Sequence, residues 1–281
     1  MSMNTAEPQF LTTHKGLSLH YTDHPANGDT KGVLVFIHGS GPGASGWSNF
    51  KHNIPGFQTA GYRCVVYDQW GYGKTDKPTD VDYTLAFFID GLTALLDNLA
   101  LQTVTLVGNS LGGAVALGMA LQQPERVAQL ILMAPGGIES REDYFAMEGI
   151  QTMVKYPMGS PDFTRDILAK LLILLVYNPE IIDEELIDER WNTLQTQNSH
   201  VLATMAIPDL SNQVSQLDQP MLVFWGTEDK FCPATGVWKM LQSSGQVQAE
   251  LLNHCGHWVM TEYPELFNAR SLEFLSNSVR L

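Results

Sequence analysis

Thr105-Leu-Val-Gly-Asn-Ser-Leu-Gly-Gly113 is the stretch on which the fold of this chain turns. A β-branched and apolar run from Val104 to Val107 stops at Gly108, and the small residues Gly113, Ala114 and Ala116 open a helical stretch to about Gln122. Strand, sharp turn and helix form the setting in which Gly108-Asn109-Ser110-Leu111-Gly112 acts as a G-x-S-x-G nucleophile elbow. So tight a turn forces Ser110 into strained backbone, and side chains at the flanking glycines would collide with strand or helix. The strain is expected to hold the Ser110 hydroxyl at the carboxyl edge of a sheet, beside helix N–H groups that favour negative charge. A glycine-rich turn that merely packs closely is the plainer alternative.

Outward from that element, short buried strands alternate with helices. Residues 33–37, 62–67 and 127–133 read as strands, with helices over 47–60 and 85–99 and an opening hairpin at 10–13 and 17–21. The alternation resumes with strands 221–225 and 249–252 and helices 235–241 and 264–275. This pattern predicts an α/β fold, a mostly parallel sheet with helices on both faces. Between 136 and 219 it breaks into amphipathic helical stretches (144–156, 163–175, 184–197, 199–206) without a buried strand. Residues 1–135 and 220–281 are therefore expected to form one core domain, and 136–219 a helical cap over its active edge.

Composition narrows the function. At 281 residues, 44% hydrophobic and 16% charged, the chain suits a soluble globular protein with a sizeable core. A net charge of −14 without a Lys/Arg cluster argues against nucleic acid or an anionic membrane as partner. The cysteines Cys64, Cys232 and Cys255 are odd in number and scattered, which suggests a reducing compartment and no disulfide framework. Residues 1–9 have no basic n-region and no apolar h-region, so no signal peptide is expected, and the apolar run 167–177 is far short of the ~20 residues of a membrane span. A cytoplasmic protein is expected.

A serine hydroxyl needs a base to take its proton, and the base needs an orienting group. In this architecture the acid and then the histidine follow the serine. Asp229 lies just past strand 221–225, where ligands gather in such sheets; Glu228 is its neighbour, and Asp218 sits at the wrong end of the strand. Asp68 and Asp76 precede the serine and are expected to tie down a glycine loop. Among the histidines, His14, His20 and His24 belong to the N-terminal region and His200 to the cap. His257, in His254-Cys-Gly-His-Trp258 at the start of the final helix, is the candidate base, with His254 expected to be structural. A single His/Cys cluster is too little for a metal site, so no metal and no cofactor is expected. His38-Gly39-Ser40-Gly41-Pro42 falls where an oxyanion hole is usually built, with backbone donors at Ser40 and Leu111.

These residues resemble the α/β-hydrolase superfamily over essentially the whole chain. Within it, His38-Gly-Ser-Gly-Pro-Gly-Ala-Ser-Gly-Trp-Ser-Asn49 is similar to the signature of the meta-cleavage-product hydrolases, which cleave a carbon–carbon bond in 2-hydroxy-6-oxo-dienoates. Gly108–Gly113, Met147–Ile150, Arg190-Trp191, Trp225-Gly226 with Asp229 and Phe231, and Cys255–Trp258 match as well; Leu111 stands where Met is common. The resemblance implies an α/β-hydrolase fold with a triad of Ser110, Asp229 and His257, and the Ser40 and Leu111 amides as oxyanion donors. It implies that Arg190, Asn49 and Asn109 hold the carboxylate and enol oxygen, with Gly39, Gly41 and Trp258 in the same polar pocket and Phe231 in an apolar one. It also implies an anionic dienoate as partner and a homodimer or larger assembly.

Alternatives stay open. Arg190 follows five acidic residues between 183 and 189, so a surface salt bridge is one reading; ordinary packing beneath the cap is one for Trp258. The same fold could house a carboxylesterase, which needs no carboxylate clamp, or a ligand receptor with slow turnover. Enzymes with an aspartate at the elbow are set aside by Ser110.

Overall fold

A computed structural model describes residues 7–13 and 15–277, so His14 lies outside the described residues. The chain opens with β1 (Gln9–Thr12), β2 (Ser18–His24) and β3 (Gly32–Ile37), then α1 (Gly46–Phe50) and α2 (Ile54–Thr59). β4 (Tyr62–Tyr67), α3 (Leu85–Asn98), β5 (Val104–Asn109), α4 (Leu111–Gln122) and β6 (Val127–Met133) follow. Five helices come next: α5 (Arg141–Ala146), α6 (Glu148–Lys155), α7 (Arg165–Leu174), α8 (Glu184–Leu194) and α9 (His200–Thr204). The chain closes with β7 (Met221–Gly226), α10 (Gly236–Ser243), β8 (Val247–Leu252), α11 (Val259–Glu262) and α12 (Pro264–Asn277).

The strands form one sheet in the order β1-β2-β4-β3-β5-β6-β7-β8, parallel from β4 to β8 and antiparallel where β2 meets β1 and β4. β5 and β7 are buried along their whole length, as continuous apolar runs covered on both faces require. α4, behind the elbow, is buried from Leu111 to Ala120, all small or apolar residues.

Two expected helices are each split. The stretch 47–60 breaks at Asn53 before Pro55, which starts a new helix but cannot continue one. The stretch 144–156 breaks at Met147, whose ψ of 136° is extended. Both breaks keep the apolar spacing in phase, so periodicity alone does not reveal them. The helices between β6 and β7 leave and rejoin the sheet through a narrow neck, where the Leu210 amide donates to Gly137 O at 2.7 Å. The last turn of the expected insertion, Ser211–Gln216, packs on α10 and α4 instead of over the carboxyl edge. A further tie joins Ala206 to Tyr83 and Leu85 through backbone bonds of 3.1 Å each.

Candidate active site

The elbow is built as its sequence demands. Ser110 has φ 55° and ψ −116°, a region that side chains avoid, and a Cβ on Gly112 would lie 2.0 Å from Ile37 O. β7 delivers Asp229 and the loop after β8 delivers His257. The His257 Nδ1 and Asp229 Oδ2 are 2.7 Å apart, with both side chains buried. The second carboxylate oxygen of Asp229 accepts the amides of Phe231 and Cys232 at 2.7 and 2.9 Å, which fixes its plane. His257 lines a cavity of about 660 Å³ that Ser110 also lines. The Ser110 hydroxyl lies against the Cys232 thiol, and no hydrogen bond joins it to His257. Serine–histidine bonds are often formed only once substrate is present.

Ser40 and Leu111 also line the cavity, and neither backbone N–H has a partner among the described residues. The loop carrying Ser40 is pinned from beneath. His38 Nδ1 bonds to Gly39 O at 2.7 Å, its Nε2 accepts the Gln69 amide at 3.0 Å, and Gln69 Nε2 donates to His38 O at 2.6 Å. Complete burial drives the His38 pKa down to about 4, so the ring is the neutral tautomer this network needs. Asp68 does tie down the glycine loop: its carboxylate accepts the Gly46 and Lys74 amides and meets His20 Nδ1 at 2.7 Å. Asp76 in turn accepts the Ser18 amide at 2.7 Å.

The cavity wall includes a buried charge. Arg190 is 1% exposed, donates to Asn49 Oδ1 at 2.7 Å, and sits 4.8 Å from the Trp258 ring centroid. Asn49 Nδ2 is 3.4 Å from Asn109 Oδ1, and Asn109 Nδ2 reaches His257 O and Met133 O. No carboxylate pairs with Arg190, its Nε has no partner, and burial lowers its pKa to about 10. The surface salt-bridge reading therefore fails. The neighbouring acids face outward, where Glu184 and Asp188 bind Arg165 and Glu189 binds Lys51. Trp258 is packed, and its packing surface is this cation. A buried guanidinium with no carboxylate partner carries a desolvation cost that an anion in the cavity would offset.

All the expected residues converge: Gly39, Ser40, Gly41, Asn49, Asn109, Ser110, Leu111, Arg190, Phe231, His257 and Trp258 line one cavity, with Asp229 behind His257. Phe231 lies 5.5 Å from the His257 ring, where the wall turns apolar. Glu228 instead accepts the Cys255 amide, and His254 packs on Tyr177. Cys64, Cys232 and Cys255 are unpaired and buried. Sequence reasoning did not find Cys232 beside Ser110, nor buried Glu139, which lines the same cavity and binds Thr235 and Lys239.

Comparison with known proteins agrees with this architecture. The sequence pattern of the alpha/beta hydrolase family matches residues 34–270. A 2-hydroxy-6-oxononadienedioate/2-hydroxy-6-oxononatrienedioate hydrolase of Comamonas testosteroni is 33% identical, over 96% of each chain. The chain belongs to the alpha/beta hydrolase family, among its meta-cleavage-product hydrolases. A 2-hydroxy-6-oxo-6-phenylhexa-2,4-dienoate hydrolase of Burkholderia cepacia is 32% identical over 99% of each chain. The solved meta-cleavage product hydrolase CumD of Pseudomonas fluorescens superposes with a TM-score of 0.83 at 25% identity, covering 96% of this chain and 98% of that one. Among the described residues of this hydrolase, no helix is long and apolar enough to cross a membrane.

Proposed function

We propose that this hydrolase cleaves the carbon–carbon bond of a 2-hydroxy-6-oxo-hexa-2,4-dienoate formed by ring fission in aromatic degradation. The observation that carries the reading is Arg190: a buried guanidinium without a carboxylate, in the cavity that Ser110 and His257 line. A carboxylesterase has no use for such a cation, and a protein that never bound an anion would bear its desolvation without return.

Arg190, Asn49 and Asn109 hold the substrate's carboxylate and enol oxygen, and Trp258 screens them from water. The enol proton moves to C5 to give the 2-keto form. When the C5–C6 bond then breaks, its electron pair passes into the 2-keto group as a dienolate, whereas an unstabilised carbanion is too basic to leave. C6 departs as a carboxylic acid carrying the oxygen of water. The 6-oxo oxygen lies in the hole formed by the Ser40 and Leu111 amides, where each donor contributes about 10²–10³ in rate. Ser110 serves as nucleophile or as the group that positions water, with His257 as base and Asp229 fixing its tautomer. A rotation of the Ser110 side chain away from Cys232 precedes this step. The helices of 136–219 act as the cap. The enzyme is cytoplasmic, in keeping with its unpaired cysteines, and assembles as a homodimer or larger.

The test follows loss of the conjugated chromophore of a ring-fission dienoate. Ser110→Ala is expected to abolish turnover, and undiminished turnover in that variant would sink the reading.

A further inference from the structure

Arginines in this acidic chain are usually spoken for. Among the described residues, Arg63, Arg126, Arg165 and Arg270 each hold a carboxylate. Arg141 and Arg190 hold none, and both line the cavity. They differ in exposure. Arg190 is buried beside Asn49 and Trp258, whereas Arg141 is exposed in the first turn of α5.

Arg141 is held in place there. Its guanidinium carbon lies 5.1 Å from the ring centroid of Phe145, one turn further along α5 and also on the cavity wall. The neighbouring carboxylates that bond within the chain are turned to other partners: Glu139 to Thr235 and Lys239, Asp143 to Ser140, and Asp209 to Ser211. The cavity that both cations line also has an apolar wall, with Ile150, Met153, Leu168, Leu171, Leu172 and Phe231.

We propose that Arg141 is a second anion-holding side chain, and that the preferred substrate is a dicarboxylate: a 2-hydroxy-6-oxo-dienoate whose C6 substituent ends in a carboxylate. The inference rests on the reading of the site given above and extends it to the far end of the substrate. A chain of methylenes suits the apolar wall, and its terminal carboxylate meets Arg141. A phenyl substituent would use the same wall and leave Arg141 idle. Relatives acting on each kind of substrate are equally similar to this chain, at 33% and 32% identity, so overall similarity does not choose between them. The placement of charge does.

The experiment compares 2-hydroxy-6-oxonona-2,4-dienedioate with 2-hydroxy-6-oxo-6-phenylhexa-2,4-dienoate on the native enzyme and on Arg141→Gln. The native enzyme is expected to favour the dioate. The variant should lower the dioate-to-phenyl ratio of kcat/KM about fivefold, through KM, as an exposed ion pair allows. Arg141→Lys should restore most of it, and the contrast should shrink as salt is added. A ratio unchanged by the substitution, or a native preference for the phenyl substrate, overturns the proposal. Calorimetric binding of both compounds to the Ser110→Ala protein, with and without Arg141→Gln, separates the two readings. If turnover is absent but the dioate still binds more weakly to the Arg141 variant, the hydrolase reading fails and the Arg141 site stands. If neither compound binds, the site fails too.

Discussion

The carbonyl of Leu175, at the end of α7, accepts the backbone amides of both His257 and Trp258, at 2.8 and 3.1 Å. The helical segment therefore holds the loop of the proposed base directly, backbone to backbone. Gly256 makes this possible, because a Cβ there would lie 2.7 Å from Leu175 O and 2.8 Å from Val176 Cα. Gly256→Ala should displace His257 from its partners. We expect a loss of about tenfold to a hundredfold in kcat, since an ångström of misplacement costs that much. Steady-state kinetics beside a circular dichroism melt would show whether catalysis falls while the fold persists.

Arg190 gives a prediction with opposite signs for stability and function. Arg190→Met removes a buried cation that no carboxylate compensates, so the unliganded protein should lose nothing and gain about 1 kcal/mol. Turnover of dienoates should fall by about 2–4 kcal/mol in kcat/KM, roughly 30- to 1,000-fold. Any hydrolysis of neutral p-nitrophenyl esters should be nearly unaffected. Denaturant melts together with assays on both substrate types check the three outcomes; an equal loss on neutral esters would contradict the anion-holding role.

The strained elbow predicts a second trade. With φ 55° and ψ −116°, Ser110 occupies backbone space that glycine adopts without strain. Ser110→Gly should raise stability by about 1 kcal/mol, the strain relief exceeding the added chain entropy, while eliminating activity. Urea unfolding of the two proteins measures the difference.

His38 makes stability depend on pH. Its pKa in the folded protein is about 4, below the ordinary value of 6.5, because the ring is fully buried. Between these values the unfolded chain binds a proton that the folded one refuses, so acid favours unfolding. The contribution is complete above about pH 6.5 and is lost progressively as pH falls to about 4, amounting to about 3 kcal/mol. Urea midpoints across that range should fall for the native protein and fall less for His38→Gln, which can keep part of the network.

The continuous apolar strands and the elbow glycines made the fold legible, because both faces of a parallel sheet are covered and the turn tolerates no side chain at Gly112. Arg190 was harder to read. Its acidic neighbours suggested a surface, yet Asp188 lies about 200° round the helix from it, so the two face opposite ways. Cys232 beside Ser110 and Glu139 beside Lys239 join residues 122 and 100 positions apart, by subtraction of their numbers, and no local pattern encodes such contacts. The pinning of His38 by Gln69 was hidden for the same reason.

Three loops of the site touch the helical segment at glycines. Gly43 sits against the Arg190 carbonyl, Gly149 of α6 against the Phe231 ring, and Gly256 against Leu175. Roof and walls thus meet along seams too narrow to admit even a methyl group. Any side chain added along those seams would push the helical segment off the loops that carry the site.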